Sequence, residues 1–172
     1  PALADGTAVQ DADVNAALGI DTSNGDLQGA LIAHNIIRNF AAGGVRFHCL
    51  VLPKQAKGMN AILYNRIAHT SVENPGIWVH GQYVQVAHNT IIDTGFGVQH
   101  HYISSTKGTQ LLVSRNTIRA SIAGIWLALL NDQDRKAGPQ ALVDHNTVQM
   151  TDPIPGHTPA TDDAVWVLDA LS

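Results

Sequence analysis

The chain has 172 residues and a formal charge of −4, with 45% hydrophobic and only 14% charged residues. Its length supports one domain with a substantial core, residues 1–172, standing alone or forming part of a longer solenoid. Ten Lys and Arg scattered through an acidic chain leave no electrostatic footprint for nucleic acid, no apolar run reaches the roughly 18 residues of a membrane span, and a lone Cys49 excludes an internal disulfide.

In chain order, residues 6–19 come first. Ala8, Val9, Val14, Ala17 and Leu18 suit either a short N-terminal amphipathic cap or an imperfect first rung. A repeat then begins. Five segments align: LIAHNIIRN from Leu31, AILYNRIAH from Ala61, QVAHNTIID from Gln85, LVSRNTIRA from Leu112 and LVDHNTVQM from Leu142. They share Asn35, Asn65, Asn89, Asn116 and Asn146. Three residues before each asparagine, and two after it, stands Ile or Val, which favours strands over helices.

Each copy leads into a second alternating strand: Gly44-Val45-Arg46-Phe47, Gly76-Ile77-Trp78-Val79, Gly97-Val98-Gln99-His100 and Gly124-Ile125-Trp126-Leu127. The preceding glycine is expected to supply a backbone conformation that a Cβ opposes. A fifth strand, Ala164 to Leu168, has alanine in that place. One copy cannot bury an apolar face alone, but copies stacked about 4.8 Å apart can. The asparagines are then expected to form an internal structural ladder, bonding from rung to rung and to the bend backbone. Cys49 alternates with Val45 and Phe47 and is expected in the core.

These repeats resemble the right-handed parallel β-helix of the pectin-lyase-like superfamily, over about Leu31 to Leu168. The expected fold is all-β: a single-stranded right-handed solenoid of about five to six rungs. The resemblance implies an extracellular or periplasmic location and a carbohydrate-associated role, with polysaccharide lyases and epimerases among the relatives. The Asp-Pro-His motif common in mannuronan epimerases is missing, since Asp152-Pro153 is followed by Ile154.

Alternation sends Arg46, Trp78, Gln99, Trp126 and Trp166 outward in one column. Indoles on a solvent-facing sheet suit sugar rings, so Trp78, Trp126, Trp166 and Gln99 are candidate substrate-binding residues. Cover by a loop, by further polypeptide or by a second subunit is the competing explanation. His48, His80 and His101 follow two positions on. For a lyase, Arg46 or Lys107 can neutralise a uronate carboxylate while His80 or His101 exchanges protons. Lys57, Arg135 and Lys136 can reach the same edge from insertions. The three-histidine column lacks an acidic fourth ligand, and no metal site is assigned. Calcium at Asp132 and Asp134 is the cofactor left open, although that loop lacks EF-hand spacing. His34, His88 and His145, with Tyr64 and Arg115, precede the ladder asparagines and read as decoration of the bend.

Two functions follow. The first is binding, cleavage or epimerisation of an acidic polysaccharide or oligosaccharide on the Trp/His face. The alternative is a noncatalytic structural or protein-interaction module, in which tryptophans mark self-association or contact with further polypeptide.

Overall fold

The computed structural model describes residues 19–22, 29–40, 43–49, 59–68, 74–81, 83–101, 110–129, 140–151 and 165–169, with backbone alone at 49, 81, 101, 110, 128–129, 140 and 165–169. In chain order the strands are β1 (Ile20–Asp21), β2 (Leu31–Ala33), β3 (Ile36–Arg38), β4 (Val45–Cys49), β5 (Asn60–Leu63), β6 (Arg66–Ala68), β7 (Pro75–Gly81), β8 (Val84–Ala87), β9 (Thr90–His101), β10 (Gln110–Ser114), β11 (Thr117–Leu129), β12 (Gln140–Asp144), β13 (Thr147–Met150) and β14 (Val165–Asp169).

Every pairing is parallel and joins a strand to its counterpart one repeat away. One sheet runs β12-β10-β8-β5-β2; the second has nine strands along the path β1-β4-β7-β9-β11-β13, with β3, β6 and β14 branching from it. The chain is therefore a parallel β-solenoid. Three inner turns, β5–β7, β8–β9 and β10–β11, have neighbours on both sides. About three turns, and not five to six rungs, are supported. The repeat overcounts because the outermost copies lack a neighbouring turn along part of their length among the described residues.

The core follows from alternation. Ile62, Val86 and Val113 are fully buried from the five-stranded sheet, and Ile67, Ile77, Ile91, Val98 and Ile125 from the nine-stranded one. The ladder asparagines lie between the two sheets. Asn65, Asn89 and Asn116 are each 1% exposed. In each, Nδ2 donates both forward to the next asparagine's Oδ1 and back to a carbonyl one rung behind: for Asn89, to Asn116 at 3.0 Å and to Ile62 O at 2.8 Å. Its Oδ1 accepts from Asn65 N at 2.9 Å and Asn65 Nδ2 at 3.0 Å. Neighbouring turns thus satisfy these buried amides on both sides.

The residue before each ladder asparagine is left-handed: φ is 59° at His34, 56° at Tyr64, 58° at His88, 55° at Arg115 and 50° at His145. Five non-glycine residues accept that cost so that the following amide turns inward.

The glycines act for a different reason from the one expected. Gly44, Gly76 and Gly97 are not left-handed; they permit close approach between turns. A Cβ at Gly97 would fall 2.4 Å from both Gly124 O and Ile118 Cγ2. Of residues 6–19, where an N-terminal cap or imperfect first rung is expected, all but Gly19 lie outside the described residues. Gly19 begins the chain's approach to β1, which pairs with β4. The Cys49 side chain also lies outside them.

Candidate functional site

The expected outward column has the expected register. Arg46 pairs with Trp78, Trp78 with Gln99, Gln99 with Trp126 and Trp126 with Trp166; His48, His80 and His101 align two positions along. Among the described residues this face is only partly open. Gln99 is buried at 8% exposure, Trp78 and Trp126 are half-buried, and both indole Nε1 atoms are withdrawn from solvent.

The aromatic groups instead engage one another. The Arg46 guanidinium lies 4.7 Å from the Trp78 ring, Trp78 meets His80 edge-on at 4.4 Å, and Trp126 stacks on Phe96 at 5.4 Å. His48 and His80 ring centroids are 6.2 Å apart, but His48 Nδ1 and His80 Nε2 are also hidden from solvent. Alternation gives the direction in which a side chain leaves the backbone, not what lies over it. Among the described residues no group of three or more His, Cys, Asp or Glu is placed to hold a metal ion. Lys107, Lys57, Asp132, Asp134, Arg135 and Lys136, and the side chains of His101 and Trp166, lie outside the described residues.

A different surface emerges on the outer side of the five-stranded sheet. Its register stacks Leu31, Ala61, Gln85, Leu112 and Leu142, with Ala33, Leu63, Ala87, Ser114 and Asp144 in a second column of which Ala87 and Ser114 are buried. Asp144 is the one charged residue in these two columns. Leu31 is 65% and Leu142 59% exposed. Along the bend bordering this face, Tyr64 stacks between His34, at 5.1 Å and 4°, and His88, at 4.8 Å and 15°. His145 Nδ1 meets Asp144 Oδ2 at 2.6 Å. The bend decoration is therefore a ring stack at rung spacing as well as a polar border. This face was legible in principle: in four of the five aligned copies the first residue is Leu or Ala, although alternation turns it away from the core.

No protein-family model, curated protein or solved structure matches the chain. The fold is an all-β parallel solenoid, and nothing in these comparisons ties it to the pectin-lyase-like superfamily; the architecture specifies a scaffold and not a reaction. Among the described residues, no helix is long and apolar enough to cross a membrane.

Proposed function

We propose that the chain is a noncatalytic interaction module, a parallel β-solenoid that pairs with a second copy of itself through the outer face of its five-stranded sheet. The observation that carries this reading is the uncharged column Leu31–Ala61–Gln85–Leu112–Leu142. A two-fold axis through Gln85 sets Leu31 against the partner's Leu142 and Ala61 against the partner's Leu112. Large then meets small at the second position, and the two Gln85 amides meet as donor and acceptor across the axis. The carbohydrate reading has less support, because the indole N–H groups of Trp78 and Trp126 and one ring nitrogen each of His48 and His80 are hidden from solvent.

Five strands about 4.8 Å apart, each contributing about 15 Å of length, give a face of roughly 350 Å² per copy. That is below the roughly 800 Å² per partner of standard stable interfaces, so a reversible dimer with a dissociation constant above about 1 μM is expected. Sedimentation velocity on the intact chain, from about 10 μM to about 1 mM, should show a monomer giving way to a dimer. Leu112→Glu sets a carboxylate into each half of the interface and should hold the chain monomeric with an unchanged circular dichroism spectrum. A monomer throughout that range, or undiminished pairing by the variant, would refute the reading.

A further inference from the structure

A second surface, on the other sheet, carries a separate inference. Strands β3 and β6 pair with Ile36 opposite Arg66, Ile37 opposite Ile67 and Arg38 opposite Ala68. Ile37 and Ile67 are buried, and alternation turns Ile36, Arg38 and Arg66 to the outside, where all three are exposed; Ala68 shares their phase but is itself buried at 6% exposure. Ala68 places a methyl where the flanking rungs carry Arg38 and Ile92, and a cavity of about 300 Å³ opens there, lined by Ile36, Ile37, Arg38, Asn39, Arg66 and Ala68.

Both guanidiniums are exposed, and neither has an acidic partner among the described residues. The solenoid itself shows what such a guanidinium accepts. Arg119 stands in the same outward column as Arg38, and its Nε donates to Asp93 Oδ1 at 2.9 Å, while Nη2 pairs with the same oxygen. Asp93 comes from a left-handed bend four residues after Asn89; Asn39 holds the equivalent position after Asn35, also left-handed, and brings an amide in place of a carboxylate.

We infer that Arg38 and Arg66 form a receptor for carboxylates presented by an extended acidic peptide segment of a partner protein. Two features favour a peptide. No ring among the described residues lines the cavity to carry a sugar face, and Ile36 stands beside the arginines at 75% exposure as a seat for an apolar side chain. An extended segment laid across this outer face would place an apolar side chain at Ile36 and acidic ones at Arg38 and Arg66. Two arginines engaging carboxylates form charge-assisted hydrogen bonds, stronger than neutral ones.

The test uses the intact chain and fluorescence anisotropy of a short dye-labelled peptide in which valine and glutamate alternate. The wild-type protein should bind it, and Arg38→Ala and Arg66→Ala should each weaken binding at least about tenfold, with an unchanged thermal melt. The matching valine–glutamine peptide should not bind. Absence of binding by the wild-type chain, equal affinity in the arginine variants, or equal binding of the glutamine peptide would each overturn the proposal. Displacement of the peptide by trigalacturonate at lower concentration than by unlabelled peptide would overturn the choice of a peptide ligand. Because the site and the Leu112 column lie on different sheets, the two readings stand or fall separately.

Discussion

Replacing Asn89 with alanine should lower the free energy of unfolding by about 3–5 kcal/mol, a large share of the 5–15 kcal/mol of an ordinary domain. The loss comes from several groups at once. Asn89 Oδ1 accepts from the backbone and the side chain of Asn65, and its Nδ2 donates to Ile62 O, Ala87 O at 3.1 Å and Asn116 Oδ1. Truncation leaves the Asn65 N–H without that acceptor where water does not reach, since Asn65 and Asn89 are each 1% exposed. Asn89→Asp should be no milder. A carboxylate retains the acceptor but not the donor, and it turns a negative charge on the Ile62 and Ala87 carbonyls and on Asn116 Oδ1. Asn35→Ala makes the control, because Asn35 is less buried and its side chain only donates among the described residues, to Asn65 Oδ1 and Ala33 O. Urea titrations followed by circular dichroism will rank the variants. An Asn89→Ala cost below that of Asn35→Ala would show that the ladder does not carry the stability assigned to it.

Gly97→Ala is the second large effect, expected at about 2–4 kcal/mol, somewhat above the usual range for overpacking because backbone is involved. The added methyl would meet Gly124 O and Ile118 Cγ2, each at 2.4 Å, and the carbonyl cannot retreat without disturbing the next turn. Gly29→Ala separates this collision from backbone preference. Gly29 has φ 66°, and a methyl added there would have nothing within 4 Å, so its cost should be that of a left-handed alanine, about 1 kcal/mol. Thermal melts of the two variants give the comparison. A Gly97 variant as mild as the Gly29 one would mean that the turns can separate to admit a side chain.

The architecture was legible because its causes are periodic. An asparagine recurring between Ile and Val positions needs a neighbour above and below it, and that requirement also sets the register of Arg46, Trp78, Gln99 and Trp126. What depends on more than period was not legible. The number of turns depends on whether the outermost copies find neighbours, and the exposure of Trp78 depends on its surroundings. The role of Gly44 and Gly97 is set by distance to the adjacent turn, which no single copy encodes. The arginine cavity is harder still to read: Arg38 and Arg66 are diagonal across two rungs, and the space beside them is lined by the small Ala68. The apolar outer face, by contrast, was present in the aligned copies as an apolar residue on the outward phase.

The asparagine ladder also has a direction. From Asn35 through Asn65, Asn89 and Asn116 to Asn146, each of the four side-chain-to-side-chain links runs from Nδ2 to the Oδ1 of the higher-numbered turn, and none is reversed. The amide dipoles are therefore aligned in series, each polarising the next, so that a turn inserted in the interior strengthens bonds it does not itself make. Resistance to opening should rise toward the middle of the stack faster than a count of bonds implies, and unfolding should begin from either end.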